Sequence, residues 1–461
     1  MRAQVLSRSV VSRGVAMALT VAMVMVAGCV VEEEDGPNRG NNNNNNTGGG
    51  SNLTGWYTNN PTAANYNIST AAQLEGLAEL VNGGNNFDGK TITLTADINL
   101  SSYNASNTAF NNGRGWIPIG NGSNNNRRFA GTFNGNGKVV RGLFINNNTG
   151  SHFGLFGHLR GMVKDLGIED ANINGNSHVG AVAGQIDNNG MIMDCYSTGM
   201  VRASGSYLGG IVGLISGGSN VTYCHSTATV SGTGSVGGIA GRNHGSVENT
   251  YFIGSVSGTN NVGGVVGEKL GGSVTTSYSK GSVNGTIAIG GVVGRNATNS
   301  GNIANCYSTS TVSGDENTGG VVGYHTTGRV ANCYSTGVVN GGSYVGGIVG
   351  YNSNVTMMMN AALNSSLNGS TNVSRVAARS LSNLSNLSGS VAFADMKRND
   401  EETVWPNIGA GNLNGADITL EEILADPTMG DRFTEINGWT IVPGYLPGLF
   451  GVPEEIPAHL W

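Results

Sequence analysis

Short apolar runs bounded by glycine recur along residues 153–350 of the 461-residue chain. The clearest run is Val345-Gly346-Gly347-Ile348-Val349-Gly350, in which paired glycines precede two β-branched residues. The first glycine of each copy falls at position 154, 180, 209, 237, 263, 290, 319 or 346, so the copies are 26 to 29 residues apart. A period of this size indicates an array of stacked structural units.

A second pattern keeps step with the first. Segments such as Cys306-Tyr307-Ser308-Thr309 precede each glycine pair by a similar interval. The apolar runs are three to six residues long, which suits strands, and no helical period connects them. The pattern therefore predicts an all-β fold, a right-handed parallel β-helix (solenoid) with coils of about 27 residues.

The motif also predicts what lies inside each coil. The glycines are expected at sharp corners, where φ is positive or two stretches of backbone approach closely. The fourth residue of each motif is expected to point inward, because it is an apolar place that every coil shares; the fifth residue is the alternative. The predicted inward series is Ile211, Ile239, Val265, Val292, Val321 and Ile348.

These runs and the Cys-Tyr-Ser-Thr segments resemble the GLUG-motif repeats of bacterial surface proteins. The stretches Tyr66 to Thr70 and Phe129 to Gly137 are similar to the region that usually precedes such repeats. The resemblance covers roughly residues 54–450 and implies the β-helix architecture. It implies little about activity, since these repeats occur in adhesin-like proteins and in non-catalytic parts of secreted enzymes.

Both ends of a β-helix expose unpaired backbone, so each end needs a cover. Thr70 and Gln73 fit a capping box that begins a short N-terminal capping helix, and Thr419 and Glu422 predict a second helix near residues 420–425. We expect the N-terminal cap and first irregular coils in residues 54–149, the GLUG-type repeats in 150–360, and the final coils with an irregular C-terminal cap in 361–461. The large apolar residues expected to plug the far end are Phe433, Trp439, Ile441, Tyr445, Leu446, Leu449 and Phe450.

The front of the chain predicts export and a lipid anchor. Three arginines precede an uncharged run that is short for a membrane span, which indicates a lipoprotein signal peptide in residues 1–28. Val26-Ala27-Gly28-Cys29 resembles a bacterial lipobox, so Cys29 would carry the lipid; a plain signal peptide or an uncleaved anchor is the alternative. Residues 29–53, acidic and then rich in Asn and Gly, indicate a flexible tether. We therefore expect a protein of the cell envelope that is lipid-anchored in the outer membrane. Such an anchor is compatible with exposure of the protein at the cell surface.

Composition narrows the class of partner. Charged residues make up 11% of the chain, against the usual ~25%, and the net charge is −6. Removal of residues 1–28 takes away three arginines and no acid, so the net charge becomes −9. An acidic chain without a basic patch argues against nucleic acid as a partner.

Two rows of side chains are candidate binding surfaces. If the cysteines face inward, strand alternation turns the neighbouring aromatic residues outward, where they would resemble the aromatic platforms that bind sugars or proteins. If the cysteines face outward, the aromatic residues would be buried as a stack. This row is Tyr196, His225, Tyr251, Tyr278, Tyr307 and Tyr334. Arg242, Glu268 and Arg295 follow the motif in three successive coils, either as the floor of a groove or as an exposed charge ladder between coils.

No catalytic constellation, cofactor motif or metal motif stands out. Asp187 and Asp194 are the best pair of carboxylates, but they flank an Asn-Asn-Gly turn without a basic neighbour, which is typical of solvated turn acids. No His-Glu-x-x-His segment occurs. Cys195 and Cys224, like Cys306 and Cys333, occupy successive coils at a spacing longer than a disulfide prefers, which favours a row of buried thiols over disulfides.

Two functions remain at this point. The first is a non-catalytic, lipid-anchored β-helix that presents its repeats for adhesion or scaffolding, with an unknown extracellular protein or glycan as ligand. The alternative is a carbohydrate-active enzyme or glycan-binding module on the same fold. Three or more ionisable groups converging in one groove across neighbouring coils would favour the enzyme.

Overall fold

Strands of successive coils lie directly above one another in the computed structural model. Val293, for example, is opposite Val266 in the preceding coil and Val322 in the next. The structure describes residues 53–297, 301–353, 355–379 and 386–461. They form a parallel β-solenoid of about 12 turns with coils of about 28 residues, which confirms the predicted fold class.

Three parallel sheets run along the solenoid. Sheet II has eight strands, of which the first two follow a single motif glycine and the other six follow a glycine pair: Phe156–Leu159, Ala183–Ile186, Val212–Ile215, Ala240–Asn243, Val266–Lys269, Val293–Asn296, Val322–His325 and Val349–Asn352. Sheet III has nine strands: Ser151–Phe153, Ser177–Val179, Leu208–Gly209, Val236–Gly237, Asn260–Gly263, Ile287–Gly290, Glu316–Gly319, Ser343–Gly346 and Thr371–Ser374.

Sheet I is the widest and carries the Cys-Tyr-Ser segments. Its 26 strands are Asn65–Ile68, Thr91–Leu94, Ile98–Asn99, Thr132–Arg141, Phe144–Asn146, Met162–Gly175, Met191–Met193, Tyr196–Ala203, Asn220–Thr222, His225–Ser226, Thr229–Ser231, Ser246–Glu248, Tyr251–Ser257, Val274–Asn284, Asn302–Ser308, Thr311–Ser313, Arg329–Ala331, Tyr334–Ser335, Val339–Asn340, Thr356–Met358, Ala361–Ala362, Ser366–Asn368, Leu387–Ser388, Val391–Phe393, Lys397–Arg398 and Ala416–Ile418.

The remaining elements lie in the N-terminal and C-terminal parts. A small antiparallel sheet consists of Trp439–Thr440, Leu446–Leu449 and Val452–Glu454. The α-helices of the described residues are Gly55–Thr58, Ala71–Asn82 and Leu420–Ala425, and the short 3-10 helices are Asn111–Gly113, Asn125–Arg127, Glu435–Asn437 and Ala458–Leu460. The second and third α-helices begin with the predicted capping boxes of Thr70 and Thr419.

The core is a stack of identical positions from successive coils. The predicted inward series, from Ile211 to Ile348, is fully buried. The backbone of Val292 forms hydrogen bonds with the backbone of Val265 and of Val321 on the adjacent coils. This prediction is confirmed. The alternative fifth residue, such as Val293, is also fully buried. Both positions face the interior because the chain turns from sheet III into sheet II between them.

Of the two reasons predicted for the motif glycines, the structure shows the close approach of two stretches of backbone and not a left-handed corner. Gly237 does not have a positive φ; instead, a Cβ atom at this position would lie 2.1 Å from the carbonyl oxygen of Ala240. Left-handed backbone occurs at two other corners of the coil. Asn and Asp, which tolerate it better than most residues, fill five of the eight positions in the first column below and three of the eight in the second. These two columns are Asp165, Asp194, Tyr223, Asn249, Thr276, Asn305, Asn332 and Met359, and His152, His178, Tyr207, Asn261, Ala288, Asn317, Tyr344 and Asn372.

The C-terminal segment, residues 433–461, corrects a second expectation. It does not plug the far end: residues 433–450 run back along the outside of sheet I, and residues 451–461 return toward the later coils, where His459 lies 2.8 Å from the carbonyl oxygen of Leu363. Phe433 contacts Tyr334, whereas Phe450 lies 6.0 Å from Tyr251, which is three coils earlier. The apolar residues of this segment therefore cover one flank of the solenoid.

Candidate binding surfaces

The aromatic row of sheet I is a continuous stack of rings on the outer side of the sheet. Neighbouring ring centroids lie 5.2, 4.6, 5.1, 4.7 and 4.9 Å apart from Tyr196 to Tyr334, and the rings are nearly parallel. The preceding cysteines are free and buried in the core. Strand alternation thus places the thiols inside and the rings outside.

The C-terminal segment covers the second half of this row. Tyr334 donates a hydrogen bond to the carbonyl of Pro447 at 2.6 Å, and Tyr307 donates one to Glu454 at 3.0 Å. The same Glu454 carboxylate pairs with Lys280 at 2.6 Å. Burial raises the pKa of both Tyr307 and Tyr334. These two rings are therefore closed to a ligand while the segment is in place.

Tyr196, His225, Tyr251 and Tyr278 form the half-buried remainder of the row, and Phe450 of the C-terminal segment packs against the last two. Because the rings stack face to face, they present their edges to solvent and not their faces. At the start of the row, a Cβ atom on Gly167 would lie 2.5 Å from the Tyr196 ring, so this last face is also covered. A sugar that packs on an aromatic platform needs a free ring face, which this row does not offer. Its role in binding stays a prediction.

The charge row of sheet II is a paired cluster around a buried carboxylate. Glu268 is 3% exposed, and its oxygens lie 2.8 Å from Arg242 and 2.7 Å from Arg295. Arg242 also stacks over Tyr207 at 4.3 Å. The charges therefore pair between successive coils as the ladder alternative predicts, but the central acid is covered by its neighbours and only the two arginines reach solvent.

A histidine cluster continues the same face toward the N-terminus. His152 lies 3.9 Å from His158 and 4.5 Å from His178, measured between ring centroids. Burial, and then the nearby His158, lower the pKa of His152 to about 3 and that of His178 to about 4. This cluster was not predicted from the sequence. Alignment of the repeats could have found it, because His158 occupies the same position after the motif as Arg242.

The candidate carboxylates do not form an acid–base pair. Asp187 is buried, 3.1 Å from Arg128 and 3.6 Å from His158, so the expectation of a solvated acid without a basic neighbour is wrong for it. Asp194 is exposed at a left-handed corner of sheet I. Among the described residues, no group of three or more His, Cys, Asp or Glu could hold a metal ion.

A cavity of about 370 Å³ beside the third α-helix gathers several charged side chains. Each one has a structural partner. Asp417 pairs with the fully buried Arg375 at 2.7 Å, Glu422 caps its own helix, and Arg432 donates to the carbonyl of Gly389 at 2.9 Å. The charged side chains around the cavity therefore stabilise the local structure.

Of the helices that the structure describes, none combines the length and apolar character that a membrane crossing requires.

Comparison with known proteins supports the repeat assignment. The family model described as "The GLUG motif" matches residues 175–202, 204–231, 285–313 and 314–340. Halomucin of Haloquadratum walsbyi is 32% identical over 152 residues, which are 32% of this chain and 2% of halomucin. A protein of Evansella cellulosilytica named "Putative Gly-rich membrane protein" is 37% identical over 105 residues, which are 22% of this chain and 11% of that protein. The chain thus spans only a small part of either relative.

One solved structure, named as a "putative immunoglobulin A1 protease" from Bacteroides ovatus, aligns with 84% of this chain, and the aligned part is 92% of the solved chain. It is 19% identical with a TM-score of 0.36, a similarity too low to support an argument. The chain thus carries GLUG-motif repeats in four places, and its described residues form a parallel β-solenoid.

Proposed function

We propose that this protein is a lipid-anchored β-helix of the cell envelope that presents its repeat surface for adhesion or scaffolding, without catalysis. The observation that carries the proposal is the mutual pairing of charges across coils. Glu268 is enclosed by two arginines, and Arg141 lies 2.7 Å from Glu169 and 3.6 Å from Asp97. A hydrolase or lyase would need an available acid or base beside a substrate-sized cavity.

The envelope location rests on the front of the chain. Cys29 and the tether lie outside the described residues, so the lipobox pattern of the sequence is the argument for the anchor. The Evansella relative, which carries "membrane protein" in its name, supports the same location.

The open part of sheet I is the surface that best fits a protein ligand. Tyr223 and Ile253 flank the uncovered rings and are 56% and 40% exposed. Exposed aromatic and aliphatic side chains on a rigid sheet suit a protein interface. A glycan-binding role is the second candidate, favoured by Arg242 and Arg295, whose side chains are 25% and 39% exposed and suit an acidic sugar.

The test is an array of matrix proteins and glycans probed with the mature protein and two variants. Loss of a protein ligand with Tyr223→Ser would support adhesion through sheet I. Loss of acidic glycans with Arg295→Gln would support the second candidate, and in this variant Arg242 still pairs with Glu268. New reducing ends in a bound glycan would show turnover and overturn the non-catalytic proposal.

A further inference from the structure

One column of the core changes from apolar to polar partway along the solenoid. The last residue of each sheet II strand points inward; it is Leu159, Ile186 and Ile215 in the first coils and Asn243, Lys269, Asn296, His325 and Asn352 afterward. All five polar side chains are at most 1% exposed. The coil stacking thus places a lysine amine, a carboxamide and an imidazole next to one another in the interior.

Lys269 is the unusual member of this column. Its amine donates to the carbonyl of Gly301 at 3.1 Å and to Oδ1 of Asn296 at 3.3 Å, and no carboxylate pairs with it among the described residues. A buried ammonium without a counter-ion is costly. Burial accordingly lowers the pKa of Lys269 to about 8, so the neutral, nucleophilic amine is accessible near neutral pH.

Asn296 is held between this amine and His325. Its Nδ2 lies 2.9 Å from Nδ1 of His325 and donates to the carbonyl of Thr327 at 2.8 Å. Lys269 and Asn296 are direct partners in the register of sheet II, as are Asn296 and His325. The rigid spacing of the coils therefore fixes the amine on one side of the carboxamide and an imidazole at its nitrogen.

We propose that Lys269 and Asn296 react to form an intramolecular isopeptide bond that ties two consecutive coils together. Nζ of Lys269 bonds to Cγ of Asn296, the Cγ–Nδ2 bond breaks, and the nitrogen leaves as ammonia. One proton passes from Nζ to the departing nitrogen. The reaction requires no oxidant, metal or cofactor. Its product is a neutral secondary amide, which removes the buried amine.

Asn243 provides a matched control within the same column. It is the register partner of Lys269 on the opposite side. Its carboxamide is already used locally, because Nδ2 donates to the carbonyl of Ser273 and Oδ1 accepts from the backbone of Gly245. The amine of Lys269 donates to Asn296 and not to Asn243, so the isopeptide bond should join Lys269 to Asn296 alone.

The test is mass spectrometry of the intact mature protein, followed by peptide mapping. We expect a mass lower than that of the unmodified chain by one ammonia, and a branched peptide that joins Lys269 to Asn296. Lys269→Met and Asn296→Ala should abolish both signals, and Asn243→Ala should keep them. Circular dichroism shows whether each variant folds.

The wild-type protein decides the question even if a variant unfolds. The full mass together with only linear peptides, after prolonged incubation of the folded wild-type protein at mildly alkaline pH, would overturn the proposal. Loss of ammonia without the branched peptide would indicate cyclisation of an asparagine elsewhere and would overturn it as well. Neither outcome depends on the proposed adhesive function.

Discussion

Individual side chains in this solenoid matter through repetition, since each one stacks on its own equivalent in the next coil. Val292 lies near the middle of the central column and is fully buried. Val292→Ala should lower the free energy of unfolding by about 1 to 3 kcal/mol, because it leaves a small cavity that rigid neighbouring coils cannot fill. Denaturant unfolding measures the effect. Val404→Ala, at a site 95% exposed, is the control, and equal losses for the two variants would contradict the assigned core.

The role of the motif glycine can be separated into two physical causes. Gly237→Ala should destabilise the protein strongly, because the new Cβ would meet the Ala240 carbonyl at 2.1 Å. Gly237→Asn should be equally harmful, whereas a left-handed corner would tolerate Asn. The control is Gly217→Ala, where the nearest atom to a Cβ is 4.0 Å away. Thermal melting distinguishes the cases, and a stable Asn variant would restore the left-handed explanation.

The histidine cluster should make the fold sensitive to acid. The folded-state pKa values of His152 and His178, about 3 and about 4, lie below the ordinary value of 6.5, so the unfolded chain binds protons first as the pH falls. Stability should be constant above about pH 6.5 with respect to these groups and should decrease from there toward pH 4. His152→Gln with His178→Gln should show a smaller decrease in melting temperature over this range. An unchanged decrease would assign the acid sensitivity to other groups.

At the scale of elements, the two sequence patterns meet across the core. The serine of the Cys-Tyr-Ser segment packs against the second glycine of the next motif: Ser197 donates to the carbonyl of Gly210 at 2.8 Å. In one coil Phe252 replaces the serine and occupies the same space beside Gly238. The fixed interval between the two patterns in the sequence is thus the length of chain needed to cross from sheet I to sheet II.

This regularity explains which features could be predicted from the sequence. A periodic pattern specifies strands, coil length, the Val292 column and both capping boxes, because these depend on local residues and on the next coil alone. The direction of the C-terminal segment was not predicted. An apolar residue such as Trp439 indicates that its side chain will be buried, but it does not indicate which surface of the solenoid will bury it. The burial of Glu268 was missed for a similar reason, because Arg242 and Arg295 neutralise it only in three dimensions.

The C-terminal segment should behave as a separable layer over sheet I. Trp439 is 3% exposed and packs against Phe433, Tyr307 and Tyr334. Trp439→Ala should open this layer to limited proteolysis while the coils beneath it remain folded, because their own cores do not include the tryptophan. Trp461→Ala, at a residue 75% exposed, is the matched control. Loss of the β-sheet circular dichroism signal together with the segment would show that the layer and the coils unfold as one unit.

At the scale of the whole molecule, an acidic chain with few charges gains most of its cohesion from stacking and little from ionic attraction. The charged groups that do approach one another, such as Arg141 and Glu169, pair across coils and so limit repulsion between equivalent positions. The candidate surfaces of the described residues follow the long axis of the solenoid. This geometry suits many weak contacts along one partner better than a single deep pocket.

The proposed anchor gives the clearest prediction at this scale. If Cys29 carries a lipid, the wild-type protein should partition into the detergent phase during Triton X-114 extraction, because buried acyl chains supply about 0.8 kcal/mol for each CH₂ group. Cys29→Ser removes the acceptor thiol and should move the protein to the aqueous phase. Asn44→Ser, a change in the same tether but outside the lipobox, should leave partition unchanged. Detergent-phase recovery of the Cys29→Ser protein would refute the lipid anchor, and the envelope location would then need a different means of attachment.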